Sequence, residues 1–335
     1  MKINITILTL LFVISFQSNS QRYDIHVDPK SHSNTAPDPF SFTKYNSEQY
    51  GYLKKYATWY IDLNIDQLRK NKLLNMLNGY NLIFSENVEF DFDNDLPNEI
   101  ENIWFYGNHL KRSGDVNLFF AGSFSDATIL NFINNKIYTI NNIPQLKQIE
   151  SKSYYGHEIF VFEIKDSDLN KNNRYASRLK DGSFVFNNNL QKLRYLIQNT
   201  KPYNNNRDPQ ESNSNDETIM VMNLNNEIAL ESASLNSDKE DYIIQSQLFN
   251  KAKNILIIAS MNESSLIINC TISTKSDEIA SQLEKIINGI TAVKSLKQED
   301  LSSIESQIIN NSIVTKDDEK LNWKTFLTVQ SLKTK

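Results

Sequence analysis

Apolar positions change their period several times along the chain, and each change marks an element. Ile279, Leu283, Ile286, Ile287 and Ile290 recur at helical spacing and form one face of an α-helix. Ser276 stands before it as an acceptor for the first backbone N–H groups, and Asp277 and Glu278 suit the positive end of its dipole. Ile65, Leu68, Leu73 and Leu77 behind a capping Asn64, and Leu190, Leu193 and Ile197, trace two more helical faces. Strict alternation appears in Trp323, Thr325, Leu327 and Val329, with Lys324, Phe326, Thr328 and Gln330 on the other side, which predicts a half-buried strand. Further strands are predicted at 57–63, 102–106, 116–124, 159–164, 184–186, 218–224, 254–258 and 266–273.

These segments fall into a longer pattern. Residues 1–20 read as a signal peptide: Lys2, an apolar run from Ile5 to Ile14, then Ser18 and Ser20 at the small positions before a cut. The run is too short for the ~20 residues of a membrane-spanning helix, so no transmembrane segment is expected after leader removal. Residues 21–56, broken by Pro29, Pro37 and Pro39, read as an extended polar arm. A first α+β unit is expected at 57–198, a polar linker with Pro202 and Pro209 at 199–216, and a second unit at 217–335. The two units share an order: a strand, a helical zone, a strand opening with Asn (Asn102, Asn254), a hairpin partner, then Ser-Asp introducing a helix (Ser125-Asp126, Ser276-Asp277). That order predicts α+β architecture in two tandem ferredoxin-like (split βαβ) units, each an antiparallel sheet covered by helices on one face.

Composition narrows the function. A net charge of −5 argues against a nucleic-acid partner, which calls for a basic footprint. Cys270, the single cysteine, rules out an internal disulfide and fits burial in a strand. The leader implies an exported protein, periplasmic or secreted.

The duplicated unit and the acidic turn before the first hairpin strand, Asp95-Leu96-Pro97-Asn98-Glu99-Ile100-Glu101-Asn102-Ile103, resemble exported bacterial proteins of unknown function, of Bacteroidetes-like type, with a duplicated ferredoxin-like unit. The resemblance spans most of 57–332 and implies no activity.

Candidate chemistry is sparse. No nucleotide-binding, zincin or nucleophile-elbow motif is present, and no cofactor is expected. His26 and His32 flank Asp28 on the polar arm, without a rigid scaffold for a metal. His109 and His157, the latter beside Glu158, are the candidates for general-base chemistry in an exported hydrolase. Asp91, Asp93 and Asp95 have the spacing that opens a calcium loop, but Leu96 and Asn102 replace its glycine and its closing glutamate, leaving at most a looser Ca²⁺ contact. Aromatics concentrate in the first half. Because neighbours on a strand point to opposite faces, Trp59, Trp104 and Tyr106 are candidate binding residues on a sheet face without helices. The reading is an exported, non-catalytic binding module of the cell envelope, with an envelope protein, peptide or glycan as partner. The hydrolase and a structural envelope protein are the alternatives; the oligomeric state is left open.

Overall fold

A computed structural model describes residues 57, 59–74, 92–107, 117–137, 139–140, 143–164, 173–200, 217–225, 251–262, 265–296 and 303–328. In chain order the elements are β1 (Trp59–Asn64), α1 (Ile65–Lys70), α2 (Phe92–Asp95), β2 (Ile100–Gly107), β3 (Asn117–Gly122) and α3 (Asp126–Phe132), which runs into a π-helical turn at Ile133–Ile137. They continue with β4 (Thr139–Ile140), β5 (Ile143–Pro144), β6 (Leu146–Tyr154), β7 (His157–Ile164), β8 (Arg174–Arg178), β9 (Phe184–Asn187) and α4 (Leu190–Asn199). The last set is β10 (Thr218–Asn225), β11 (Ala252–Asn262), β12 (Ser265–Thr274), α5 (Asp277–Ser295), α6 (Ser303–Asn310), β13 (Ser312–Asp317) and β14 (Lys320–Thr328).

Twelve strands join in one sheet, ordered β13-β14-β12-β11-β10-β1-β2-β3-β9-β8-β7-β6, while β4 and β5 pair separately. Every ladder in the large sheet is antiparallel. The single continuous sheet and its strand order correct the expectation of two ferredoxin-like units. A split βαβ unit sets the strands on either side of its helix parallel to each other and inserts another strand between them. Here β1 returns directly alongside β2, and β10 alongside β11, so each half is an antiparallel run and the halves fuse through β1 and β10.

The two halves nonetheless follow the same ladder. Ile100 opposes Gly122 and Asn102 opposes Ala121, with a bulge between them. The same pairs recur 152 positions later (Ile100 to Ala252), with Ala252 opposite Thr274, Asn254 opposite Ser273 and a bulge in the same place. At the junction Ile61 faces Met222, and these are flanked by Phe105 and Ile257.

One row of side chains runs through eleven of the twelve strands, from β7 to β13: Phe160, Ala176, Phe186, Leu118, Phe105, Ile61, Met222, Ile257, Cys270, Trp323 and Val314. It lies on the front face, in a core shared by both halves and closed by Ile65 and Leu68 of α1, Phe92 of α2, Ile129 and Phe132 of α3, Leu283 and Ile287 of α5 and Ile308 of α6. The alternate positions, Tyr60, Trp104, Tyr106, Phe119, Ile159, Val161 and Val185, face the back and form a second core with Leu193, Leu196 and Ile197 of α4. Helices on a single face were expected. The structure corrects this too, because the Leu193–Ile197 stripe seals the aromatic back face of the first half.

Candidate functional site

The back face is where the expected binding residues lie, and its packing decides their role. Trp104 retains 5% of its exposure and Tyr106 4%. Their rings contact Phe119, with centroids at 6.1 Å and 5.7 Å. The Tyr106 hydroxyl accepts from Asn187 Nδ2 at 2.6 Å, and burial raises its pKa far above the ordinary value of 10.0. Trp59 points to the front, half-buried, its indole in the space above Gly107; a Cβ there would stand 2.6 Å from its Nε1. The structure therefore places Trp104 and Tyr106 together inside the back core and Trp59 apart from them. Trp104 and Tyr106 are buried, while Trp59 is half-buried against the front core.

The other candidates are dispersed. His157 is half-buried, and its Nδ1 donates to the Arg178 carbonyl at 2.8 Å. Asp95 pairs with Lys136 Nζ at 2.6 Å, an ion pair between α2 and the π-helical turn. His26, His32, His109, Asp91 and the side chain of Asp93 lie outside the described residues, as do the leader, the polar arm and residues 201–216. Among the described residues no group of three or more His, Cys, Asp or Glu could hold a metal ion.

An exposed cluster appears instead where α4 meets the β6–β7 hairpin. α4 is set by asparagines. Asn187 Oδ1 accepts from the Asn189 N–H, Asn117 Oδ1 accepts from the Asn188 N–H, and Asn189 Oδ1 caps the helix through the N–H groups of Gln191 and Lys192. With Leu193, Leu196 and Ile197 turned into the sheet, Arg194 and Gln198, one turn apart, face the hairpin. The hairpin tip is a two-residue turn, Tyr155-Gly156, flanked by the Tyr154–His157 pair. Both turn residues have positive φ, +50° and +78°, as a tight turn matching strand twist requires.

Tyr154 is held from two sides: its hydroxyl accepts from Gln198 Nε2 at 2.7 Å, and the Arg194 guanidinium lies 5.1 Å from its ring centroid. Tyr155 packs edge-on against it, with centroids at 4.8 Å and planes at 71°. Tyr155 is 71% exposed. On α4, Tyr195 is also exposed. The result is an aromatic and cationic platform fixed by hydrogen bonds. In the sequence, His157 beside Glu158 draws attention to this segment for general-base chemistry, and the two tyrosines before it do not. The available signal was the bulky residue before Gly, at a position that favours Asn, Asp or Gly.

No helix among the described residues is long and apolar enough to cross a membrane. No family model matches the chain, and no curated protein matches it in sequence. Among solved structures it is similar to crystal forms I, III and IV of TP0453, with TM-scores of 0.40, 0.42 and 0.41 and identities of 11%, 8% and 10%. Each alignment covers 82% of this chain and 91%, 92% and 91% of that one.

Proposed function

We propose that the protein is an exported, non-catalytic binding module of the bacterial cell envelope, and that it makes contact through the platform of Tyr154, Tyr155, Arg194 and Gln198. Export is supported by the pattern of residues 1–20. The proposal includes the origin of the fold: the ladder that repeats 152 positions on (Ile100 to Ala252) supports reading the halves as copies of one unit.

Tyr155 carries the proposal. Its left-handed backbone disfavours a bulky side chain, so the position costs stability, and at 71% exposure its ring returns little of that through burial. Asn, abundant in this chain, would fit the turn better. A large aromatic kept where folding does not want it points to contact with something outside the fold.

Tyr155→Asn separates the two requirements. The variant is expected to melt at or above the wild-type temperature while its retention on cell envelopes isolated from the native host falls several-fold. Tyr155→Phe should keep both properties. Undiminished retention of Tyr155→Asn would overturn the assignment.

A further inference from the structure

Arg194 gives the platform a chemical preference. Among the described residues its guanidinium has no carboxylate partner and makes no hydrogen bond; its one contact of this kind is the Tyr154 ring. The Nε–H is buried without an acceptor, which leaves the terminal nitrogens as the donors a ligand can reach. Other cationic groups are near. Lys180 Nζ lies 3.5 Å from the Gln198 carbonyl oxygen, and Lys152, two residues before Tyr154 on the same strand face, is held by Glu150. Arg178, by contrast, is committed to Asp126 and to two backbone carbonyls. Arg194 is thus a stacked, planar donor beside exposed aromatic rings, with its charge uncompensated.

We propose that the platform binds an acidic saccharide, with the sugar ring on Tyr155 and its carboxylate on Arg194; this rests on the contact surface proposed above. A guanidinium fork matches a carboxylate in plane and charge. Tyrosine faces suit the C–H face of a pyranose, combining an apolar body with a polar tip. An extended acidic peptide fits less well: the outer strand β6 that leads to Tyr154 is interrupted by a bulge between Gln148 and Glu150, and Glu150 on it repels an acidic chain.

The test is calorimetric titration of the mature chain with tetragalacturonate, with neutral cellotetraose and with tetraglutamate. Tetragalacturonate should bind about tenfold or more tightly than either of the others, and Arg194→Gln should remove that advantage. Arg194→Lys should restore part of it, because charge is kept while the planar fork is lost. Tyr155→Asn should weaken the binding of both sugars. Thermal melting of each variant shows that it is folded. Equal affinity for the two sugars, preference for tetraglutamate, no effect of Arg194→Gln, or binding of no probe would overturn the acidic-saccharide assignment. Envelope retention of Tyr155→Asn is read separately, so failure of the ligand class and failure of the contact surface give different results.

Discussion

Cys270 lies between Ile257 and Trp323 in the front-face row, and that position controls its chemistry. Burial raises its thiol from an ordinary 9.0 to about 12. In the unfolded chain the proton leaves near the ordinary value, while the folded chain keeps it up to about pH 12. Between these limits the unfolded state binds fewer protons, so the stability that the neutral thiol contributes is complete below pH 9.0 and lost as pH rises through the window. The slope for one such group is about 1.4 kcal/mol per pH unit. Urea midpoints should therefore decline above about pH 9, and Cys270→Ala should postpone the decline until the buried Tyr106, also raised by burial, begins to act. At neutral pH the folded thiol should not react with an aromatic disulfide reagent until denaturant is added. Burial of this cysteine was legible in the alternating strand around it. Tyr155 was not, because exposure at a hairpin tip depends on where the second strand turns back.

At the scale of elements, Arg178 ties β8 to α3. Its Nε donates to Asp126 Oδ1 at 2.6 Å, and its two terminal nitrogens donate to the carbonyls of Gly182 and Phe124 at 2.6 Å and 2.8 Å. The guanidinium also lies 5.1 Å from the Phe124 ring centroid. A lysine has the charge but not the fork, so Arg178→Lys should cost about 2 kcal/mol in urea unfolding and Asp126→Asn about 1 kcal/mol, values moderated by partial exposure. An unchanged midpoint in both variants would mean that solvent replaces these bonds without loss. Helix starts were readable where a cap is local: Asn64 Oδ1 accepts from the Gln67 N–H, and Ser125 Oγ from the Thr128 N–H. The face of α5 was readable as well, with Leu283 and Ile287 buried. α4 was visible as a helix but not as a back-face lid. Its attachment runs through Asn117, Asn187 and Tyr106, which are brought together by the β2–β3 and β3–β9 pairings.

For the molecule as a whole, strand order was the quantity hidden in the sequence. The succession of strand, helix, hairpin, helix and strand suits a split βαβ unit. It suits equally a single antiparallel sheet in which later strands dock on earlier ones, and hydrophobic period does not distinguish them. What decides is pairing across long separations: β3 with β9, β12 with β14, and above all β1 with β10. That last ladder makes the halves one cooperative body, since the front core runs through both. Variants retaining only Trp104 or only Trp323 as the tryptophan reporter should therefore lose structure at the same denaturant concentration. Separate transitions would show that the central ladder couples the halves weakly.

An open ribbon of strands has two ends, and one of them bears on how the protein behaves at high concentration. Unsatisfied backbone groups along an outer strand invite stacking by other chains and, eventually, fibrils. The outer strand β6 carries Lys147, Glu150 and Lys152, is solvent-exposed along nearly all its length, and is kinked by a bulge between Gln148 and Glu150. Charge and curvature together make it a poor template, so lateral growth into aggregates is blocked at this margin.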